Sequence, residues 1–450
     1  MKKNLSNLGK GKFSQQIVLF PIVLILLASL SYYAPSQSEQ VKLISTYPAT
    51  VCPAVGNKIP AVASLNNSKI QRRLINGISK TLNAGKNSLI ALNNDALLVE
   101  GNPGTALTFV NSGWKSVVPC SVSNGEQWFA GGSGALISKS ILYIVNSGFS
   151  DSSVELQIYT PNGLIEPKSV VITQNSTKKI SVDTLVPGED SIVIGVKTLS
   201  GRVSSYLLDE RKKGLKSLGA DFVAPVATAN KKVTIAGISG LAGKQISNNN
   251  SVGHTLRLLI PGTIDANIDV TINSNDGNFI PEGLAQFNIR NQKVLDIPLT
   301  FAPVNQPFSL IIDSDQPILA SVLSEFTFGK SKEIAWATGA DELSRWSVNL
   351  SGSRPLLSFS GNKINIQISA TTINGKKIDK KITGTDFLVW NAPSGLNRLQ
   401  ITANGKGITG GVIFFPEVGS IGSSYIPMNN GANLETASEP ISDASVISRG

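Results

Sequence analysis

The stretch Val154-Glu-Leu-Gln-Ile158, followed by the turn pair Asn162-Gly163, decides the fold because its pattern occurs three times. Apolar residues that alternate at period two are typical of a half-buried strand, and Asn-Gly or Asp-Gly accepts the positive φ of a tight hairpin turn. A hairpin repeated about every hundred residues predicts tandem β-domains rather than one large enzyme fold. The other two copies are Ile268-Asp-Val-Thr-Ile272 before Asp276-Gly277, and Ile366-Gln-Ile-Ser-Ala370 before Asn374-Gly375.

The repeat extends beyond the hairpins. An apolar strand precedes each one, at residues 142–144, 256–258 and 356–359. Downstream, a second pair of strands keeps one seven-residue interval in all three copies, from Val196 to Val203, Ile311 to Ile318 and Ile401 to Ile408. About seven short strands per copy, with frequent turn signals, are typical of an immunoglobulin-like sandwich.

We therefore expect an all-β chain of tandem immunoglobulin-like β-sandwich repeats. The predicted repeats cover residues 120–225, 226–340 and 341–428, behind an N-terminal β-rich unit over 48–119. That unit holds a weaker match to the repeat, so a degenerate fourth copy is left open. Residues 429–450 are polar and small with no periodicity, which predicts a disordered tail.

The N-terminus predicts export. Residues 1–16 carry four lysines and no acid, and an apolar run ending at Tyr32-Tyr33 follows. A basic flank and an aromatic flank place the N-terminus in the cytoplasm. The run is short for a spanning helix, but the Ala-x-Ala of a cleaved signal is missing. We expect one transmembrane or signal-anchor helix over 17–33 behind a cytoplasmic tail and before a stalk over 34–47; secretion after cleavage is the alternative.

Composition and charge agree with export. Only 16% of residues are charged, and 41 glycines and 22 prolines suit turn-rich β-domains rather than a helical rod. The formal charge is +10, of which four are cytoplasmic lysines, so the exported part has 36 basic against 30 acidic residues and is near +6. We expect no nucleic-acid partner.

Two basic clusters stand out in the exported part. Two interpretations are open. The clusters are either solvated lysines that protect strand edges from pairing with other chains, or contacts to an anionic cell-wall polymer or phospholipid surface. The clusters are Arg211, Lys212, Lys213 and Lys216, and then Lys376, Lys377, Lys380 and Lys381.

Cys52 and Cys120 are the two cysteines. An even count outside the cell predicts one disulfide between them. A metal site would need further histidine or cysteine ligands, and His254 is the one histidine. We expect no metal and no cofactor.

The sequence offers little for catalysis. His254 follows a polar Asn-rich stretch and is predicted to be a surface residue in a loop before a strand. No P-loop, His-Glu-x-x-His or strand–GxGxxG–helix pattern occurs. Carboxylate pairs remain, at 209–210, 313 with 315, and 341–342, but a glycosidase needs two carboxylates facing each other across a cleft. Trp128 and Trp346 occupy equivalent repeat positions, which favours core packing over a sugar-binding platform.

Several segments resemble a known family. They are Thr46-Tyr-Pro-Ala-Thr-Val-Cys52-Pro53, the block from Cys120 through Trp128-Phe-Ala-Gly-Gly132, the Leu-x-Ile-x-Asn strand at 142–146, and the small residues near 407–427. Together they resemble domain of unknown function family 5719, from about residue 45 to 428. The resemblance implies an exported or membrane-anchored actinobacterial protein and no assigned activity, so it supplies no functional residues. After the first cysteine this chain has Pro53-Ala-Val-Gly56, where family members tend to have Pro-Gly-Pro.

These observations predict a non-enzymatic cell-envelope protein, a membrane-anchored extracytoplasmic binding or scaffolding module. Its expected partners are the membrane, through residues 17–33, and envelope proteins or an anionic cell-wall polymer. The alternatives are a glycan-binding or glycan-active envelope protein and a surface assembly subunit.

Overall fold

The computed structural model describes residues 44–46, 49–54, 61–65, 70–75, 79–82, 88–92, 95–100, 104–111, 114–241, 246, 249–415, 422–429 and 434–436. The chain divides into two compact units, residues 1–46 with 435–450, and residues 47–434. In the first unit the described part is β1 (Ile44–Thr46), which pairs with the last strand, Leu434–Thr436. The predicted cytoplasmic tail and anchor lie outside the described residues, as do most of the stalk and of the C-terminal tail. No helix within the described ranges has the length and apolar character needed to cross a membrane.

Residues 50–427 of the second unit form four groups of strands, called sets one to four. Set one holds β2 (Thr50–Cys52), β3 (Ala61–Leu65), β4 (Ile70–Leu74), β5 (Ser79–Leu82), β6 (Ser88–Leu92), β7 (Leu97–Glu100), β8 (Ala106–Asn111) and β9 (Trp114–Pro119). Set two holds β10 (Glu126–Phe129), β11 (Ile141–Asn146), β12 (Ser152–Thr160), β13 (Gly163–Ile172), β14 (Ser176–Ser181), β15 (Val193–Ser200), β16 (Val203–Lys213) and β17 (Lys216–Val223), with the single-turn 3₁₀ helix Val182–Thr184 after β14.

Sets three and four each contain at least one long strand, and set four has six strands rather than eight. Set three holds β18 (Asn230–Ile238), β19 (Asn250–Leu259), β20 (Ala266–Ser274), β21 (Gly277–Phe279), β22 (Phe287–Ile289), β23 (Leu295–Pro298), β24 (Phe308–Phe328) and β25 (Ser331–Thr338). Set four holds β26 (Arg345–Ser353), β27 (Leu356–Thr372), β28 (Lys377–Asn391), β29 (Leu396–Ala403), β30 (Thr409–Phe414) and β31 (Ser424–Pro427).

One strand order occurs in all four sets. With the strands of a set lettered a to h along the chain, one sheet has the order a-f-c-d and the other e-b-g-h, as in β10-β15-β12-β13 and β14-β11-β16-β17. In set three the two ends of β24 serve as f and g, and β21 with β22 forms d. In set four β27 serves as b and c, and β28 as d and e. The strand order of set one is thus that of the other three, although its sequence matches the repeat weakly.

The described part of the chain is almost entirely β, as the sequence predicted, and the repeated hairpins are strands c and d. β12 pairs with β13, β20 with β21, and β27 with β28, each antiparallel across the predicted turn. The seven-residue interval measures the step from strand f to strand g. Buried aliphatic side chains from both sheets of a set form its core, so the architecture is sandwich-like.

The last strands of the four sets meet at the centre of the second unit. β9 contacts β17, β17 contacts β25, β25 contacts β31, and β31 contacts β9. Gly219 on β17 shows how close the approach is: a Cβ there would lie 2.5 Å from the backbone nitrogen of Ile334. Its φ of +108° also favours glycine. Each h strand is an edge strand of its own sheet, so this ring covers four edges that would otherwise be open to pairing.

His254 corrects the sequence prediction. It lies within β19, with 5% of its surface exposed, rather than in a surface loop. The strand starts at residue 250, six residues before the predicted 256, because residues 250–255 pair with 323–328 of β24. The His254 ring packs edge-on against Phe308 and its Nδ1 lies 2.9 Å from Ser324 Oγ. Burial lowers the pKa of His254 to about 4.

Candidate functional site

Two carboxylates of set two hold Trp336, which lies on β25 of set three. The indole Nε1 donates to Asp209 Oδ2 at 3.0 Å, and the backbone nitrogen of Trp336 donates to Asp221 Oδ2 at 2.9 Å. Asp209 and Asp221 are register partners on β16 and β17, so their side chains share one face of that sheet. All three residues are buried. One tryptophan therefore links the edge strand β25 of set three to two acids of set two.

Asp221 also receives hydrogen bonds from sets one and four. Ser116 Oγ on β9 donates to Asp221 Oδ1 at 2.5 Å, and Ser424 Oγ on β31 donates to the same atom at 2.9 Å. Groups from all four sets thus converge on one carboxyl group. Burial raises the pKa of Asp221 from 3.8 to about 7, although these hydrogen bonds act in the opposite direction. Desolvation dominates because the surrounding donors are neutral groups.

Glu333 is a second buried acid at the same place. Its Oε1 accepts from the backbone nitrogens of Ala220 at 3.0 Å and Ile334 at 2.9 Å, which ties β25 to β17. Its Oε2 has no hydrogen-bond partner within the described structure. Burial, and then the nearby Asp221, raise the pKa of Glu333 well above its usual range. A proton on Glu333 removes the cost of an unpaired buried charge.

Arg257 completes the cluster from the other side of Trp336. Its guanidinium lies 5.1 Å from the tryptophan ring centroid and binds Asp296 through two hydrogen bonds of 2.8 Å. It also donates to the backbone oxygen of Gly132 at 2.8 Å and of Ile192 at 3.2 Å, both in set two. The guanidinium holds the pKa of Asp296 below its ordinary value against an opposing effect of burial. Arg257 is therefore a charged link between sets two and three.

We call these residues the central polar cluster. Its hydrogen bonds cross between sets, and its acids face structural donors rather than an open cleft, so the arrangement is suited to holding sandwiches together. No group of three metal-ligating side chains occurs among the described residues. The members of the cluster are Ser116, Asp209, Asp221, Arg257, Asp296, Glu333, Trp336 and Ser424.

A cleft of about 400 Å³ opens where sets one, two and four meet, and we call it the junction cleft. Proline and aromatic side chains, including Trp346, form much of its wall, and Arg345 and Gln400 also line it. Gln127 is buried in the wall: its Oε1 accepts from the Ser205 backbone nitrogen at 2.9 Å, and its Nε2 has no partner within the described structure. A buried donor of this kind can bind an acceptor on a ligand.

The predicted disulfide is confirmed and lies beside the junction cleft. Cys52 and Cys120 are bonded, with their Cα atoms 4.4 Å apart, and Cys120 lines the cleft. Next to them, Tyr206 of set two accepts a hydrogen bond from the Ser121 backbone nitrogen at 2.7 Å and donates to the Val51 oxygen. Burial raises the pKa of Tyr206 to about 12. The disulfide thus fixes the end of set one where it adjoins set two.

The structure divides the first predicted basic cluster. Arg211 is mostly buried and pairs with Asp209 and Glu325, each at 3.2 Å. Lys212 pairs with Glu210 at 2.6 Å. Only Lys213 and Lys216 are exposed, at the tip of the hairpin between β16 and β17. The first two residues therefore contribute to the central part of the fold.

The second basic cluster lies on an edge strand. Lys376, Lys377, Lys380 and Lys381 are all exposed at the start of β28, which borders its sheet. Lys380 and Lys381 are register partners of Ile368 and Gln367 on β27. Edge protection and an anionic contact both stay predictions for these four residues.

The remaining carboxylate pairs serve local structure. Asp313 lies 3.1 Å from Lys232 Nζ, and Asp315 accepts from the Asn267 backbone nitrogen at 3.0 Å. Glu342 accepts from the Gly407 backbone nitrogen at 2.8 Å. The tryptophans Trp114, Trp128, Trp336 and Trp346 are buried, as core packing requires.

Sequence reasoning missed the h strands, and with them most of the central polar cluster. A usable signal was present: Asp221 follows Gly-Ala and precedes Phe-Val, and Glu333 precedes Ile-Ala-Trp. A single acid inside an apolar strand is costly to bury unless it is protonated or hydrogen-bonded. Such an acid indicates a polar contact between domains.

The family model described as "Family of unknown function (DUF5719)" matches residues 115–383. This chain belongs to that family. The matched segment begins in β9 and ends in β28, so it includes all of sets two and three and most of the central polar cluster. No curated protein matches the chain.

Proposed function

We propose that the chain is a non-enzymatic, extracytoplasmic module of the cell envelope, held to the membrane by residues 17–33, that acts by binding or scaffolding. The observation that carries this proposal is the central polar cluster. Its buried acids and Arg257 bind groups of neighbouring sets, which makes four sandwiches one body with fixed outward faces. A rigid body of this kind suits the positioning of partners.

The disulfide supports the extracytoplasmic location, since disulfides persist in oxidising compartments. The lysine-flanked apolar segment 17–33 supports attachment to the membrane.

We further propose that each set is an immunoglobulin-like sandwich in which three outer strands have exchanged sheets. In an immunoglobulin constant domain, strands A, B, E and D form one sheet and C, F and G the other. Here b with e and c with f keep that separation, whereas a and d join c and f, and g joins b and e. The shared inner strands support a common sandwich plan.

Protease accessibility in wall-stripped cells tests this proposal. The full chain, tagged at its C-terminus, should pellet with membranes, resist carbonate extraction, and lose the tag to added protease while a cytoplasmic control protein survives. Release of the mature chain into the medium, or protection of the tag, would contradict the anchored orientation.

A glycan-binding role is the second candidate, and the junction cleft favours it. Gln127 Nε2, which has no partner among the described residues, lies in the wall of the cleft, and Gln400 and Arg345 line it as well. Polar groups of these kinds bind sugar hydroxyls. Titration with soluble cell-wall disaccharides, followed by calorimetry, tests this role. Gln400→Ala should weaken binding, and Gln286→Ala, at an exposed position of set three, is the matched control. Saturable binding that Gln400→Ala leaves unchanged would show that the junction cleft is not the glycan-binding site.

A further inference from the structure

Two loops of set two expose large apolar side chains to solvent. Leu136 is 101% exposed and Ile137 48% exposed, in the loop between β10 and β11. Leu215 is 105% exposed, at the tip of the hairpin between β16 and β17. Single exposed leucines are common on protein surfaces, but a group of them points to an interaction surface. We call these three residues the leucine tip.

The two loops are fixed to each other by backbone hydrogen bonds. The Lys212 nitrogen donates to the Ile137 oxygen at 2.8 Å, and the Lys139 nitrogen donates to the Glu210 oxygen at 2.6 Å. Between them, Ser138 forms a bridge with Arg211. The apolar side chains are therefore held outward by ordered backbone.

Exposed lysines surround the leucine tip. Lys139 follows Leu136 and Ile137, and Lys213 and Lys216 flank Leu215 on its hairpin. The acids next to this surface already face basic partners: Glu210 pairs with Lys212, and Glu325 pairs with Arg211. The surface thus combines apolar side chains with an excess of positive charge.

We infer that the leucine tip is a peripheral membrane contact that inserts into an anionic phospholipid bilayer. Apolar side chains enter the boundary between headgroups and acyl chains, and lysines beside them attract anionic headgroups. A soluble anionic polymer would use the lysines but would leave the leucines in water. This inference rests on the proposed envelope location and adds a second membrane contact to residues 17–33.

A fluorescent label tests the contact in the full chain reconstituted in lipid nanodiscs. Because both native cysteines are disulfide-bonded, Leu215→Cys gives one thiol for an environment-sensitive dye. In discs that contain phosphatidylglycerol the emission should rise severalfold, move to shorter wavelength, and be quenched by spin-labelled acyl chains. The same dye on Ile264→Cys, at a 62% exposed position of set three, should show none of these changes.

The lysines provide a second test of the membrane contact. Each exposed lysine near an anionic surface contributes about fivefold to partitioning. Changing Lys139, Lys213 and Lys216 together to Gln should therefore lower the ratio of inserted to free tip by up to about a hundredfold. A Leu215 label that behaves like the Ile264 label, or that responds to soluble polyglycerol phosphate but not to discs, would overturn the inference. Failure of the chain to stay in the discs would instead count against the anchor at 17–33.

Discussion

Asp221→Asn should change how the free energy of unfolding depends on pH. In the folded chain Asp221 keeps its proton up to a pKa of about 7, whereas the unfolded chain loses it near the ordinary value of 3.8. Between these values the folded state binds more protons, so the contribution of Asp221 to stability is complete below pH about 4 and is lost as the pH rises through about 7. About three pKa units, at about 1.4 kcal/mol each, give a loss of about 4 kcal/mol.

Asparagine imitates the protonated acid. Its amide oxygen can accept from the Trp336 nitrogen, and its amide nitrogen can donate to Ser116 Oγ and Ser424 Oγ, which turn to accept. The variant should therefore match the wild type at pH 4 within about 1 kcal/mol. It should exceed the wild type at pH 8 by up to about 4 kcal/mol, because it has no proton to lose.

The assay is urea unfolding of wild type and variant at intervals from pH 4 to pH 8. His254 has the opposite effect, because its folded pKa is lowered to about 4 and its contribution to stability grows as the pH rises through its unfolded value. The difference between the two proteins cancels the contribution of His254 and leaves that of Asp221 together with its effect on the pKa of the neighbouring Glu333. Asp276→Asn, at an exposed turn, is the matched control. A difference that stays constant across the pH range would refute the assignment of a buried, protonated Asp221.

Three further substitutions or treatments test other parts of the fold. Arg257→Met removes the basic partner of Asp296, whose Oδ2 keeps its hydrogen bond from Ser191 Oγ, and should cost about 3–5 kcal/mol in urea unfolding. Lys232→Met, in an exposed ion pair, should cost less than about 1 kcal/mol; equal costs would contradict the role given to Arg257. The Cys52–Cys120 disulfide joins residues that are 68 positions apart in the sequence. Its reduction should lower the free energy of unfolding by about 4 kcal/mol, because the unfolded chain gains conformational entropy. An unchanged melting temperature in the presence of reductant would contradict this prediction. Gly219→Ala should destabilise the fold by about 2 kcal/mol or more, because the new Cβ would overlap with β25. Gly214→Ala, at a positive φ with open space around it, should cost about 1 kcal/mol. The reverse order in thermal unfolding would argue against the close contact between β17 and β25.

The hairpin strands c and d of sets two, three and four could be predicted because their pattern is local, whereas the h strands were missed. Alternation at 268–272 and the Asp276-Gly277 turn specify strand c and its hairpin without any knowledge of the rest of the chain. The order of strands in the sheets could not be predicted, because the pairing of strand a with f depends on contacts far apart in sequence.

The central polar cluster illustrates a second limit. In β19, Leu256 and Leu258 face the core of their own set, and periodicity assigns Arg257 to the opposite, solvent-facing side. That assignment is correct for the isolated sandwich, but set two covers this face through the backbone oxygens of Gly132 and Ile192. A periodic pattern describes one sandwich at a time, and contacts between sandwiches lie outside it. The prediction for His254 was wrong for a related reason: the polar residues before it do not show the apolar alternation that indicates a strand.

Differential scanning calorimetry of the full chain tests most directly whether the central polar cluster makes four sandwiches one body. Cooperative coupling predicts a single transition for sets one to four, with equal calorimetric and van't Hoff enthalpies. Arg257→Met should then move the whole transition to lower temperature. Separate transitions in the wild-type protein, or a variant in which only set three melts earlier, would contradict the account.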